Sequence, residues 1–249
     1  MGQSVTVMGM VLTAMPISEY DKRITILTKE RGKITAFARG ARRPASQLLA
    51  ATNPFSFGEF ELFEGRNSYN LTKASIKNYF RELVTDLDVA SLAFYFVEFA
   101  EYFCQENSDE REMLKLLYQS MRALEKTEFK KPLVRAVFEL KAISINGEGP
   151  WMFSCMRCRK KEILSVFSVQ RGGMFCSECK KDWPGDARQL LDSTRYTMQY
   201  VLSTPVERLY TFAVSDEVLE EFTEIMEQYM GHYVRHEFRS LQMLSTKPQ

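Results

Sequence analysis

The sequence lacks the short motifs by which nucleotide-dependent and nucleophilic enzymes are usually recognised. It contains no Walker-type phosphate loop, no Gly-x-Gly-x-x-Gly fingerprint and no Gly-x-Ser-x-Gly nucleophile elbow. Its many acidic residues form no pair at an interpretable spacing, and no nucleophile has a recognisable general base. The sequence therefore predicts a protein that is not an enzyme.

Long apolar runs are also missing. The nearest candidate for a membrane span, residues 89–103, is interrupted by Glu98 and Glu101. This pattern is typical of an amphipathic helix, so we expect no contact with a membrane.

The N-terminus shows no export signal. Residues 1–15 are apolar, but they lack a basic start and run into Pro16. Met1 and Gly2 with Thr6 match a permissive myristoylation pattern, and the same residues fit a β-strand, which is the interpretation we prefer.

Net charge is nearly absent, since 33 basic residues oppose 32 acidic ones. The distribution is uneven, because residues 1–46 carry eight basic and only three acidic side chains. The basic ones are Lys22, Arg23, Lys29, Arg31, Lys33, Arg39, Arg42 and Arg43. This local excess indicates an N-terminal region that faces a polyanion.

Cysteines are few, but four of the five form two Cys-x-x-Cys pairs. The pairs are Cys155 with Cys158, and Cys176 with Cys179. This spacing is typical of a tetrahedral four-thiolate zinc site. Because all four positions would be filled by protein, no position is left for a reactive water, and the zinc is expected to be structural.

Disulfides and redox chemistry are the competing interpretations of these cysteines. Disulfides are disfavoured because nothing suggests export, and a redox Cys-x-x-Cys would be single and adjacent to a βαβ pattern. The fifth cysteine, Cys104, lies in an aromatic-rich segment and is expected to be a small core residue.

Residues 1–80 alternate between apolar and polar positions in about five short segments separated by turn signals. The expected strands cover residues 5–12, 24–28, 33–38, 55–63 and 69–76. Five such strands predict a small barrel or sandwich, and their number fits a five-stranded barrel of the OB type.

Residues 81–249 change to a helical period, so the fold class is α+β with two domains, 1–80 and 81–249. Helices are expected at residues 79–103, 110–124, 132–147, 188–202 and from 215 onward. The zinc segment interrupts the helical domain at about residues 150–185, and residues 247–249 are expected to be loose.

The basic stretch from Arg39 to Ser46 follows a predicted strand and should form a loop at the barrel rim. Its arginines are forked donors suited to phosphate, and an OB barrel often carries single strands. We therefore expect the loop with Arg39, Arg42 and Arg43 to contact nucleic acid. Phe37, Phe60 and Tyr69 are candidates to stack on bases, although several must instead fill the barrel. A solvated charged loop is the other interpretation.

A second basic group, near the C-terminus, consists of His232, Arg235, His236 and Arg239 at helical spacing. It fits a basic last turn that complements the helix dipole, or a secondary contact with nucleic acid or protein. His232 and His236 could share a face as a metal pair, but they lack the intervening Glu of a metalloprotease helix.

Taken together, these segments resemble the bacterial recombination-mediator family RecO. The resemblance rests on the early alternating strand, on the order of barrel, helical domain and four-cysteine insertion, and on a final helix expected to contain Tyr233, His236 and Leu241. The matching N-terminal segments are Glu19–Asp21, Ile24–Thr28, Glu30–Gly32, Gly40–Pro44 with Ser46, and Pro54 with Phe55.

The resemblance implies a recombination mediator located in the bacterial cytoplasm at the nucleoid. Such proteins bind single- and double-stranded DNA, anneal complementary strands and act with RecR. They contact the C-terminal tail of single-stranded-DNA-binding protein and help to load RecA. In this chain Lys33, Arg39, Arg42 and Arg43 are then expected to contact the phosphates of DNA. The alternative is a zinc-stapled protein-interaction module that does not bind DNA directly, and a nuclease comes third because no carboxylate cluster can be named for it.

Overall fold

The N-terminal part of the computed structural model, which describes residues 3–66 and 68–245, is a closed five-stranded barrel. Its strands are β1 (Ser4–Pro16), β2 (Lys22–Thr28), β3 (Gly32–Ala38), β4 (Phe57–Glu64) and β5 (Tyr69–Asn78), with the short helix α1 (Leu48–Ala51) before β4. The order around the barrel is β1-β2-β3-β5-β4, and β4 pairs back onto β1. Only β3 and β5 pair in parallel. The predicted OB-type barrel is confirmed.

The barrel interior is filled by alternate residues of each strand, because successive side chains point to opposite faces. Ile24, Ile26 and Ile34 are fully buried there. Phe60 and Tyr69 belong to the same core, with exposed fractions of 0% and 6%. These two rings therefore fill the barrel, which is one of the two alternatives that the sequence left open for them.

Two facing glycines allow the barrel to close tightly. Gly9 of β1 pairs with Gly58 of β4. A Cβ added at Gly58 would lie 2.2 Å from the backbone oxygen of Ser75 on β5. A register shift between Val11 and Thr13 also bends β1, so this one strand pairs with both β2 and β4.

The remaining chain is mostly helical. The helices are α2 (Leu87–Phe103), α3 (Arg111–Leu124), α4 (Lys131–Ile145), α5 (Asp192–Ser203), α6 (Asp216–Tyr233) and α7 (Arg239–Ser245). Three short strands, β6 (Leu164–Ser168), β7 (Gly173–Cys176) and β8 (Arg188–Gln189), form a sheet in the order β7-β6-β8. Short 3₁₀ helices cover Arg81–Val84, Ser177–Asp182 and Val206–Arg208.

Two helix starts differ from the sequence-based expectation. The first long helix begins at Leu87 rather than near residue 79, because β5 continues to Asn78 and Asp86 provides the cap by accepting from the Val89 N–H. The fourth long helix, α5, begins at Asp192 rather than near residue 188, because residues 188–189 pair with β6 instead. Ser215 caps α6 as expected, accepting from the Val218 N–H.

The chain forms two compact units. One contains residues up to 125 together with those from 238 onward, and the other contains residues 126–237. The first unit holds the barrel with α2, α3 and α7, and the second holds α4, α5, α6 and the β6–β8 sheet. The boundary expected at residue 80 marks the change from strands to helices; as a division into domains it stays a prediction.

Some expectations lie outside the described residues. These are the myristoylation pattern at Met1 and Gly2 and the loose tail at residues 247–249. Within the described part of the chain, no helix combines the length and the apolar character needed to cross a bilayer.

Candidate metal centre and nucleic-acid interface

The four paired cysteines come together in the second compact unit. Their sulfur atoms all lie within 4.8 Å of one another, and those of Cys158 and Cys176 are 3.6 Å apart. Four sulfurs at about 2.3 Å from a tetrahedral zinc would be separated by roughly 3.8 Å. The cluster has the size and the donor set of a four-thiolate metal site and fits zinc.

Backbone hydrogen bonds hold both cysteine pairs. In the first turn the Cys155 N–H donates to Lys160 O at 2.8 Å, and the Arg159 N–H donates to Cys155 O at 3.0 Å. The second pair starts where β7 ends, and Trp183 Nε1 donates to Cys176 O at 3.0 Å. The sulfur positions are thus fixed by the local fold.

The electrostatics of the cluster also fit a cation. Burial opposes charge on Cys155, but the backbone N–H groups of Cys158, Cys176 and Arg157 lower its pKa to about 6. Burial and the neighbouring sulfurs raise the pKa of Cys179 to about 12. Four thiolates this close repel one another, so without a cation some of the thiols keep their protons. A divalent cation between them would stabilise all four as thiolates, since ligating thiols must lose their protons.

The cysteines do not form disulfides. The sulfurs of Cys158 and Cys176 are 3.6 Å apart, well beyond the bond length of about 2.05 Å. Cys104 is buried in the other unit, where burial and Glu110 raise the pKa of its thiol. It is a neutral core residue, as expected.

The rim loop, residues 39–46, leaves the end of β3 and exposes three arginines, Arg39, Arg42 and Arg43. Gly40 turns the chain with a φ of 64°, and its N–H donates to Asp21 Oδ1 at 2.8 Å. That hydrogen bond, with one from Ser18 and the nearby Arg39 and Arg43, holds the pKa of the Asp21 carboxyl below its usual value. Asp21 is thus an ionised anchor for the loop.

Further contacts tie the rim loop to the β1–β2 turn. The Arg42 N–H donates to Tyr20 O at 2.9 Å, and Arg42 Nη1 donates to Ser18 O at 2.8 Å. The Arg43 guanidinium lies 5.2 Å from the centre of the Tyr20 ring. The loop therefore presents its cations from a fixed backbone, which reduces the entropy lost on binding a ligand.

An exposed row of side chains on the outer barrel face continues from the rim loop. Strand pairing puts Arg23 of β2 between Met15 of β1 and Phe37 of β3. Met15 and Arg23 are exposed, and Phe37 is half-buried. We call Met15, Arg23 and Phe37 the outer row. Arg23 cannot be recognised as part of this row from the sequence, because its alignment with Phe37 depends on the register of β2 and β3.

Lys33 lies at the opposite end of β3 from the rim loop, about 20 Å along an extended strand. Its ammonium donates to the backbone oxygen of Glu101 in the last turn of α2. The structure thus groups the three arginines and leaves Lys33 apart, at a helix C-terminus where a cation is stabilising.

We expect Lys33→Ala to act on stability more than on DNA affinity. Loss of a charge-assisted hydrogen bond to a helix end should lower the free energy of unfolding by about 1–2 kcal/mol. Urea unfolding would measure the stability of Lys33→Ala and Arg42→Ala, and oligonucleotide titration would measure the DNA affinity of both variants. A larger loss of DNA affinity in Lys33→Ala than in Arg42→Ala would return Lys33 to the interface.

The C-terminal basic group is not on one helix. α6 ends at Tyr233, residues 234–238 are not helical, and α7 starts at Arg239. The metal pair of His232 and His236 is therefore wrong, because helical spacing does not continue between them. His232 alone lies in the last turn of α6, where it fits the dipole interpretation.

Comparisons with known proteins agree over the whole chain. The family profile "Recombination protein O N terminal" matches residues 1–80, and "Recombination protein O C terminal" matches residues 84–242. A protein named DNA repair protein RecO from Acetivibrio thermocellus is 30% identical over 239 residues, covering 96% of this chain and 95% of the relative. A protein of the same name from Alkaliphilus metalliredigens is 31% identical over 237 residues, covering 94% and 96%. The chain therefore belongs to the RecO family of recombination proteins, and its role is in DNA repair and recombination.

Proposed function

We propose that the chain binds single- and double-stranded DNA through the rim loop and the outer row, and that it anneals complementary strands. The observation that carries this proposal is the exposure of Arg39, Arg42 and Arg43 on a loop held by backbone hydrogen bonds at the end of an OB barrel. Strands 2 and 3 and the adjoining loops are the surface that OB barrels use for oligonucleotides.

Annealing requires that two polyanions approach each other while their bases remain free to pair. Arginines that contact phosphate neutralise the backbone and release counterions without reading base edges. The half-buried Phe37 adds an apolar surface for one base in the outer row. Such contacts lower repulsion between strands and are independent of sequence.

The proposed partners are RecR, the C-terminal tail of single-stranded-DNA-binding protein and, indirectly, RecA. A cavity of about 180 Å³ beside α3 is suitable for a peptide tail with an apolar side chain. Its lining combines Met8, Phe57, Leu114 and Tyr118 with the cations Lys29, Arg111 and Lys115. An acidic tail would meet these cations, although Arg111 and Lys115 already pair with Asp109 and Glu112.

Zinc is the proposed metal of the cysteine cluster, with a structural role. Cys155, Cys158, Cys176 and Cys179 would provide four thiolates, and the cation would join the two turns into one rigid segment. We propose no catalytic step and a cytoplasmic location for the protein.

Strand annealing by the native protein and by Arg39→Ala/Arg42→Ala/Arg43→Ala tests the proposal. We expect acceleration by the native protein and its loss in the triple variant. If three phosphates are contacted, raising salt from about 50 to 200 mM should weaken single-strand binding about 20-fold, with a shallower dependence in the variant.

A charge-matched control is Lys73→Ala/Lys77→Ala/Arg122→Ala, whose side chains each pair with a glutamate in the same unit. It should anneal like the native protein. If neither protein accelerates annealing while both remain folded, the protein-interaction module without direct DNA binding becomes the better function.

A further inference from the structure

Exposed aromatic and basic side chains border the first cysteine pair. Trp151 and Phe153 are 49% and 48% exposed, whereas Met152 between them is fully buried. Exposed cations follow directly in the chain. We call the set the knuckle face: Trp151, Phe153, Arg157, Arg159, Lys160 and Lys161.

Trp151 is held firmly although its ring is half in water. Its N–H donates to Gly172 O at 2.7 Å, and its own oxygen accepts from the Met174 N–H at 3.0 Å. Its Nε1 donates to Ser154 Oγ at 2.6 Å. A large ring fixed at the surface loses little entropy when a flat ligand stacks on it. The exposed half of the ring buries no apolar area and so does not stabilise the fold.

The charge around these rings is positive. Residues 151–183 contain seven basic and three acidic side chains. Arg157 and Lys160 pair with Asp182 and Glu178, whereas Arg159 and Lys161 form no ion pair in the described part of the chain. The Arg159 guanidinium lies over the Trp151 ring, 5.0 Å from its centre, so a base would stack on the opposite face of the ring or take the place of the guanidinium.

We propose that the knuckle face is a second binding surface for single-stranded nucleic acid, with bases stacked on Trp151 and Phe153 and phosphates on the flanking cations. Exposed rings with adjacent arginines are the platform that single strands use, since every base offers a stacking face. A duplex hides those faces, so the surface should prefer unpaired strands. The inference goes beyond the rim loop and does not depend on it.

Tryptophan fluorescence tests this surface directly, because the chain has only two tryptophans, Trp151 and Trp183. The experiment compares the 249-residue zinc-loaded chain with its Trp151→Phe variant, so that the difference between the two titrations reports Trp151 while Trp183 keeps its hydrogen bond to Cys176 O. Arg39→Ala/Arg42→Ala/Arg43→Ala is added to remove the rim interface. Titration with a short oligothymidine at low salt should quench Trp151 in a saturable manner.

Two pairs of variants, made in the background that lacks the rim arginines, separate the contributions of charge and of stacking from general effects. Arg159→Gln/Lys161→Gln should weaken the quenching titration at least severalfold, while Lys126→Gln/Lys130→Gln, in the same unit with the same loss of charge, should leave it unchanged. For binding measured by oligonucleotide anisotropy, Trp151→Ala should weaken affinity about 5- to 100-fold and Trp151→Phe should retain most of it.

Absence of saturable quenching in folded, zinc-loaded protein would overturn the inference. So would equal effects of the two glutamine pairs, or quenching by an acidic peptide but not by oligothymidine, which would make the face a protein contact. Quenching that persists when the rim variant has no effect on annealing would retain the knuckle face and reject the rim interface.

Discussion

Replacing Cys176 with serine should release the metal and unfold residues 151–183 while the barrel stays folded. Structural zinc contributes an apparent binding free energy of about 10–16 kcal/mol in zinc-finger peptides, and this energy is folding energy because the site does not pre-exist in the unfolded chain. Cys176 is buried, and its sulfur lies 3.6 Å from the sulfur of Cys158 in the other pair, so the substitution removes a ligand at the point where the two pairs meet.

Metal analysis after dialysis against a mild chelator would show about one zinc per native chain and much less in Cys176→Ser. Hydrogen exchange should rise in residues 151–183, whereas DNA binding at the rim loop should change less than stability does. Cys104→Ala is the matched control, since Cys104 is buried outside the cluster. An unchanged zinc content in Cys176→Ser would refute the assignment of the ligands.

Gly32→Ala should destabilise the first compact unit by about 3–5 kcal/mol, from left-handed strain, a steric clash and lost hydrogen bonds. Gly32 has a φ of 65°, and an added Cβ would lie 2.2 Å from the backbone oxygen of Gln105. On either side of it, the Lys33 N–H donates to Gln105 O and Asn107 donates to Arg31 O, both at 2.9 Å. The methyl group would therefore separate the β2–β3 hairpin from the segment between α2 and α3.

Gly147→Ala distinguishes the clash from the strain. Gly147 also has a positive φ, 87°, but a Cβ there meets no atom within 4 Å. It should cost only about 1–2 kcal/mol of left-handed strain. Urea unfolding of both variants gives the comparison, and equal losses would mean that the contact between Gly32 and Gln105 contributes little.

Features of the fold that depend on short sequence distance were predictable. The two Cys-x-x-Cys pairs carry their own turns, and alternation in β1 to β5 reflects a barrel with one buried face. The Ser215 cap likewise depends on its own first turn, through the bond from Val218. Local geometry decides each of these features, so the sequence alone contains the necessary information.

Features that depend on distant partners were not predictable. In the sequence, Arg188 and Gln189 fit the start of a helix, but in the structure they pair with strand β6. In the sequence, Lys33 appears within a basic cluster, but in the structure its ammonium donates to the backbone oxygen of Glu101 near the C-terminus of α2. No sequence pattern marks Trp151 as a surface residue, because only the fold shows that its ring is held at the surface. In each case a tertiary contact overrides or completes the local signal.

The return of residues from 238 onward to the first compact unit affects the order of folding during synthesis. Phe238 stacks on Phe99 of α2 with ring centres 5.5 Å apart, and Glu98 accepts hydrogen bonds from the backbone N–H groups of Arg239 and Ser240. Because domains fold as the chain leaves the ribosome, all of residues 126–237 are translated before this packing forms. The first compact unit, although its barrel is made first, acquires α7 against α2 only after the unit with the cysteine cluster has emerged.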